Sequence, residues 1–114
     1  MKKISGGYLS IIRQTMLCLP GVTEGTCFGT ETFYVSKKLL ARMKEDNETL
    51  VVFTPDRDEW TNKDESIFFV TDHYRNYPFV LVSLSKVKKS DLSQILNEAW
   101  KNRAGKKLLN LARK

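Results

Sequence analysis

The first periodic stretch of the sequence, residues 7–18, has the spacing of an amphipathic helix. Apolar or small residues recur every three to four positions on one side, and polar residues occupy the other. The expected outward residues are Ser10, Arg13 and Gln14, and the expected inward residues are Tyr8, Ile11, Ile12, Thr15 and Leu19. Pro20 and Gly21 are expected to end the helix, because proline withholds a backbone donor and glycine permits a positive φ.

A second helical pattern near the C-terminus is the most regular in the chain. We predict that Ser90 caps this helix. Its apolar positions have the spacing of a helix face that packs on a core, and they are Leu92, Ile95, Leu96, Ala99 and Trp100. After an interruption at Ala104 and Gly105, residues 106–112 are predicted to form a short final helix or turn.

Between the two helices, segments rich in β-forming residues predict an antiparallel meander. The predicted strands cover residues 32–35, 39–43 and 50–53. Short polar segments at 36–38 and 45–48 separate them. Turns of this length join only antiparallel neighbours, because a parallel pair needs a crossover of a dozen or more residues.

The segment after the meander carries the signals of a short helix. Thr54 is predicted to be its N-cap and Pro55 its first residue, and the helix is expected to end near Lys63. Two further strands are predicted at 66–70 and 79–84, which are rich in β-branched and aromatic residues.

The loop between these last two strands, residues 71–78, is polar and aromatic, with room for one irregular edge strand. The order of elements predicts an α+β fold, in which helices pack on one face of an antiparallel β-sheet of about five strands. Because the sequence shows no linker or repeat, we expect a single domain over residues 1–114.

The distribution of charge along the chain is more informative about a partner than the overall composition is. The chain has 114 residues, of which 19 are basic and 13 acidic, so its net charge is +6. The charge is unevenly spread, with +3 on residues 1–22, −4 on residues 23–85 and +7 on residues 86–114. A basic C-terminal region permits an anionic partner such as nucleic acid.

Neither a membrane span nor a secretory signal is expected, so the predicted location is the cytoplasm. No stretch approaches the roughly 20 apolar residues of a transmembrane helix, and the N-terminal residues lack the apolar run of a signal peptide. Cys18 and Cys27 form no C-x-x-C pair, and His73 is the single histidine. We therefore expect two reduced core cysteines, and neither a metal site nor a cofactor.

Seven segments, taken in their order and spacing, carry a family resemblance. They are Leu19-Pro20-Gly21-Val22-Thr23-Glu24, Phe28-Gly29, Phe33-Tyr34-Val35, Asp56-Arg57-Asp58-Glu59-Trp60, Phe69-Val70-Thr71, His73-Tyr74-Arg75-Asn76-Tyr77-Pro78-Phe79-Val80-Leu81-Val82 and Glu98-Ala99-Trp100. Together they resemble the MmcQ/YjbR family. The resemblance implies a CyaY-like α+β fold and a DNA-binding protein whose two β-hairpins act as wings.

The sequence departs from the family pattern at one position, since many members have Pro where Cys27 precedes the Phe-Gly pair. CyaY-like relatives also suggest iron binding, which we do not expect for this chain. Iron needs clustered carboxylates as hard oxygen ligands, and residues 7–18 contain none.

The two predicted hairpin tips differ in charge. The first presents Lys37 and Lys38, which suit phosphates as point charges, whereas the acidic residues 45–48 would repel them. A symmetric two-wing clamp on DNA is therefore not expected, and both tips are equally consistent with solvated turns. The candidate nucleic-acid-binding residues are Lys37, Lys38, Arg75, Lys101, Lys106 and Lys107. The alternative is that lysines on the outer face of a C-terminal helix contribute only to solubility.

The segment 73–78 combines an imidazole, a guanidinium and two phenols. Arg75 lies between Tyr74 and Tyr77 and could stack on bases or hold an anionic group. The structural alternative buries the tyrosine rings and pairs Arg75 with Asp72. The candidate ligand-binding residues, which would line one aromatic cleft, are Phe28, Trp60, His73, Tyr74, Arg75 and Tyr77.

Three classes of function remain open from the sequence. The leading hypothesis is a monomeric, non-enzymatic protein that binds DNA phosphates with little sequence specificity. The second is a module that binds a small aromatic or anionic ligand in the aromatic cleft. The third is a protein-interaction domain with an exposed apolar patch. No enzyme is predicted, because no spacing places an acid or nucleophile beside His73.

Overall fold

The structure is a computed structural model that describes residues 4–105 and residue 110, with side chains from residue 8 onward. In chain order its elements are α1 (Ile4–Met16), β1 (Val22–Cys27), β2 (Thr30–Val35), β3 (Lys38–Met43), β4 (Thr49–Phe53), α2 (Arg57–Lys63), β5 (Phe68–Phe69), a 3-10 helix (Asp72–Tyr74), β6 (Phe79–Ser83) and α3 (Lys89–Arg103). The final helix or turn predicted at 106–112 lies outside the described residues, apart from residue 110.

The strands form one antiparallel sheet in the order β1-β2-β3-β4-β6-β5. The predicted meander of β2, β3 and β4 is confirmed, and β6 pairs with β4 on the far side. The sheet has six strands because β1 pairs with β2 along its whole length. The sequence did not predict β1, because Glu24 and Gly25 interrupt its β-forming residues.

The helices pack on one face of this sheet, and the predicted α+β fold is confirmed. All five apolar positions predicted for α3 are buried, and they are Leu92, Ile95, Leu96, Ala99 and Trp100. In α1 the fully buried residues are Ile12 and Met16. Met16 was not predicted as core, and Leu19 lies beyond the helix, which ends before the expected Pro20.

Two polar contacts fasten the outer helices to the chain around β1. The Trp100 indole Nε1 donates to the backbone oxygen of Pro20 at 2.9 Å, so α3 is tied to the segment that follows α1. The Arg13 guanidinium donates to both carboxylate oxygens of Glu24, with its shortest contact at 2.7 Å. The second contact reaches the edge strand β1 itself, which has a partner on only one side, and the first fixes the segment that leads into it.

Both predicted helix caps are wrong. α2 begins at Arg57 with Asp56 in the N-cap position, so Thr54 and Pro55 precede the helix. The buried Thr54 hydroxyl donates to the backbone oxygen of Val52 instead, because Thr54 directly follows β4 and lies three residues before the helix. α3 begins at Lys89 rather than after Ser90, and neither helix has a side-chain hydrogen bond at its N-cap.

The strand predicted at 66–70 is reduced to two residues, since a turn occupies its start. The backbone oxygen of Asp64 accepts from the amides of Ile67 and Phe68, and its carboxylate accepts from Ser66. The irregular edge strand expected within residues 71–78 is a 3-10 helix followed by turns.

The expectation that both cysteines lie in the core is wrong. Cys18 is exposed in the turn after α1, and Cys27 is half-buried at the end of the edge strand; both are free thiols. Within the described part, no three His, Cys, Asp or Glu side chains are grouped as a metal site would require. In that same part, no helix has the length and apolar character needed to cross a bilayer.

The turn between β2 and β3 holds two ordinary residues in the left-handed region. Ser36 has φ 51° and Lys37 has φ 68°. A two-residue hairpin turn of this kind normally uses Asn and Gly, because most L-residues with a side chain are less stable at positive φ and their strain is a loss of stability. The Lys37 side chain is exposed, so it gains no packing that offsets this loss.

We predict that Lys37→Gly stabilises the protein by about 0.5–1 kcal/mol, because relief of the left-handed strain exceeds the extra entropy of the unfolded chain. Lys38→Gly is the matched control. It removes the same charge from a strand residue and should lower stability by about 0.5–1 kcal/mol. Urea unfolding of both variants measures the difference, and equal effects of the two would contradict a strained turn.

Candidate nucleic-acid interface

Antiparallel pairing sorts the loops of the sheet onto two opposite ends. The turn at 36–37, the end of β4 and the loop 71–78 lie at one end, which we name the Lys37 end. The turns at 28–29 and 44–48 lie at the other, which we name the Phe28 end. α3 follows β6 at the Phe28 end and finishes at the Lys37 end, where Arg103 covers Phe53.

Arg57 holds the loop 71–78 in place from the first turn of α2. Its guanidinium donates to the backbone oxygens of Tyr74 at 2.8 Å and Tyr77 at 2.5 Å, and also to that of Arg75. The Thr54 amide adds a hydrogen bond to the backbone oxygen of Pro78 at 2.7 Å. Two segments that carry the family resemblance, 56–60 and 73–82, are therefore in direct contact.

An aromatic row supports this loop from beneath. The rings of Phe53 and Phe79 meet edge to face at 5.9 Å, and Phe79 meets Tyr74 at the same distance. Tyr74 in turn contacts the His73 ring at 4.7 Å. The Arg103 guanidinium lies 3.8 Å from the centre of the Phe53 ring, and burial lowers the pKa of this arginine. Tyr74 is thus half-buried as a support, whereas His73 is exposed.

Arg75 forms the ion pair with Asp72 that the structural alternative requires. The same side chain remains 71% exposed, so the pair leaves its guanidinium accessible to a partner. Tyr77 is also exposed, by 57%, and does not bury its ring as that alternative expected. The loop therefore combines a buried support, Tyr74, with accessible side chains at 73, 75 and 77.

Three of the candidate lysines belong to the same end of the molecule. Lys37 and Lys38 extend from the turn between β2 and β3, and Lys101 lies in the last turn of α3. All three are exposed, and among the described residues none has a carboxylate within 4 Å. Asp56, at the N-cap of α2, and Asp58, in its first turn, also lie at this end. Lys106 and Lys107 fall outside the described residues.

The two hairpin turns that the family resemblance implies as wings do not lie side by side. The Lys37 turn and the acidic turn 44–48 lie at opposite ends, because consecutive turns of a meander alternate. At the Phe28 end, the buried Arg42 guanidinium pairs with Glu45 at 2.6 Å and donates to the backbone oxygen of Cys27 at 3.2 Å. A hydrogen bond from its own backbone amide, together with Arg42, lowers the pKa of Glu45.

The aromatic cleft predicted from six residues is not formed, since two of its members lie elsewhere. Phe28 is 83% exposed at φ 53° on the turn between β1 and β2, where its ring lies against Arg42. Trp60 is only 3% exposed and packs on Phe68 with ring centres 5.0 Å apart. The sequence pattern could not assign these two side chains to separate regions.

The third hypothesis required a contiguous apolar patch on the surface. Among the described residues, the exposed large hydrophobic side chains are Leu17, Phe28 and Tyr77. Phe28 lies at the opposite end from the other two, so these three residues do not form one patch. The described surface gives no support to a protein-interaction face of this kind.

We predict that Arg57→Lys lowers the free energy of unfolding by about 1–3 kcal/mol, because a lysine cannot satisfy the three carbonyls that the guanidinium spans. Urea unfolding measures this loss, and faster hydrogen exchange at the Thr54 and Tyr77 amides would localise it to the loop. Arg75→Lys is the control, since it affects only an exposed ion pair worth no more than about 0.5 kcal/mol. Equal losses in the two variants would contradict the role of Arg57.

Comparisons with known proteins support the fold. No protein-family model matches the sequence. Uncharacterised proteins of Mycobacterium tuberculosis and Mycobacterium bovis are 40% identical over 43 residues, which is 38% of this chain and 33% of each relative. The chain thus matches about a third of the length of these relatives. The crystal structure of Deinococcus radiodurans protein DR2400, a DUF419 domain, is similar with a TM-score of 0.71 and 20% identity, over 88% of this chain and 83% of that one.

Proposed function

We propose that this chain is a member of the MmcQ/YjbR family, to which the DUF419 designation corresponds, and that it binds DNA through the Lys37 end. In this proposal it is a cytoplasmic monomer without enzymatic activity. The observation that carries the proposal is that three segments distant in sequence place cationic side chains at one end of the sheet: the adjacent Lys37 and Lys38, then Arg75, then Lys101.

The chemistry of these side chains favours contact with phosphates over contact with base edges. Three of the four are lysines, which act on phosphates as flexible point charges. The first turn of α2 carries Asp58 and Glu59 at the same end and would be repelled by DNA, so this helix is not suited to enter a groove. Binding should therefore depend on salt and vary little with sequence.

A charge-matched pair of triple variants tests the proposal. The first replaces Lys37, Lys38 and Lys101 with Gln, and the second replaces Lys86, Lys88 and Lys89, which lie after β6 and at the start of α3, at the Phe28 end. Fluorescence anisotropy with a labelled duplex of ~20 base pairs, from about 50 to 200 mM salt, reports affinity and its salt slope.

The first triple variant should weaken binding more than tenfold at low salt and reduce the salt slope by about 2–3, since each phosphate contact contributes roughly 0.9 to that slope. The second should bind within about twofold of the unmodified protein, because it changes net charge equally at the other end. Absence of binding to both duplex and single-stranded DNA at tens of micromolar protein, or equal losses in the two variants, would refute the proposal.

A further inference from the structure

We infer that the loop 71–78 recognises unpaired bases, so that the DNA bound at the Lys37 end is preferentially single-stranded; this inference rests on the proposed function. The loop presents an exposed Tyr77 ring and an exposed imidazole at His73. A guanidinium at Arg75 lies between them in sequence and is also accessible. Aromatic rings that stack on bases, accompanied by cationic groups, are the combination typical of single-strand binding sites.

The backbone around Tyr77 is fixed on both sides before any ligand arrives. The Tyr77 amide donates to the backbone oxygen of Tyr74 at 3.1 Å, and its own oxygen accepts from Arg57 and from the Phe79 amide at 2.8 Å. Pro78 further restricts the chain at this point. An exposed aromatic ring on an ordered backbone loses little conformational entropy when a base stacks on it.

The support beneath the loop keeps its exposed rings away from the core. Tyr74, between His73 and Arg75 in sequence, turns inward against Phe79, and Phe79 contacts Phe53. His73 stands edge-on to Tyr74 and remains exposed. Because Tyr74 turns inward while His73 and Tyr77 stay exposed, the loop presents two separate ring surfaces to solvent.

Duplex DNA presents few base faces on which the aromatic rings of this loop can stack. Its base faces are covered by neighbouring base pairs, so rings like that of Tyr77 have nothing to stack on except at the ends of a duplex. A single strand exposes the faces of its bases, and its phosphates can follow the cationic groups Lys37, Lys38 and Lys101. The same basic end thus contributes charge to either form of DNA, whereas the aromatic loop contributes to one form only.

Substitution at Tyr77 separates stacking from charge. Tyr77→Leu keeps an apolar side chain and leaves the backbone bonds intact, and Tyr77→Phe is the control that retains the ring. We expect Tyr77→Leu to weaken binding to a labelled oligothymidine of ~20 nucleotides by about 5- to 150-fold, while Tyr77→Phe changes it less than about threefold. Binding to a duplex of the same length should change less than about twofold in both.

A second variant, His73→Ala, removes the other exposed ring and should also weaken single-strand binding selectively. Equal losses on both DNA forms, or no loss on the single strand with either Tyr77→Leu or His73→Ala, would overturn the inference and leave salt-dependent phosphate binding intact. Failure of the unmodified protein to bind either form would overturn both this inference and the proposed function.

Discussion

Successive turns of an antiparallel meander must emerge at alternate ends of the sheet, and this constraint organises the surface of the protein. It separates the Lys37 turn from the acidic turn 44–48, which are only a few residues apart in sequence. It also brings the Lys37 turn to the same end as the loop 71–78, which lies more than thirty residues later. The chain therefore has an uneven distribution of charge that its net value of +6 does not describe.

Arg57 shows how one side chain can order a loop that has little regular structure. Backbone oxygens that have no partner in regular structure still need a donor when they are close to the core. One planar guanidinium donates to three backbone oxygens in the loop 71–78, two of which also accept from backbone amides of the loop and of β6. Because these bonds engage Arg57, the cationic groups that remain at this end for a ligand are other residues, above all Lys37, Lys38 and Lys101.

The periodicity of the sequence was sufficient for elements whose two sides differ strongly in polarity. It identified the buried face of α3 from its helical spacing. The strands β2, β3 and β4 are buried over most of their length, and they were located instead from β-forming residues between short polar turns. It failed at β1, an edge strand that is stabilised by pairing with β2 rather than by burial. It also failed at Cys18, since a small apolar residue just beyond a helix end carries no signal that distinguishes core from solvent.

The sequence predicted which residues make up the candidate loop, but not the contacts that hold the loop in place. The segment 73–78 was identified from its residues, and the pairing of Arg75 with Asp72 follows from their proximity in sequence. The contacts of Arg57 could not be predicted, because they join a helix to backbone atoms 17 to 20 residues away. For the same reason the sequence grouped Phe28 and Trp60 with this loop, although Phe28 lies at the opposite end of the sheet and Trp60 is buried against Phe68.

The hydrogen bond between Trp100 and Pro20 has a consequence for synthesis as well as for stability. It spans 80 residues, and α1 packs against α3 in the same region. Because α1 is synthesised well before α3, its apolar face, with Ile12 and Met16, lacks this partner until α3 is made. Long-range closure of this kind slows folding, and the nascent chain exposes that face until α3 has emerged.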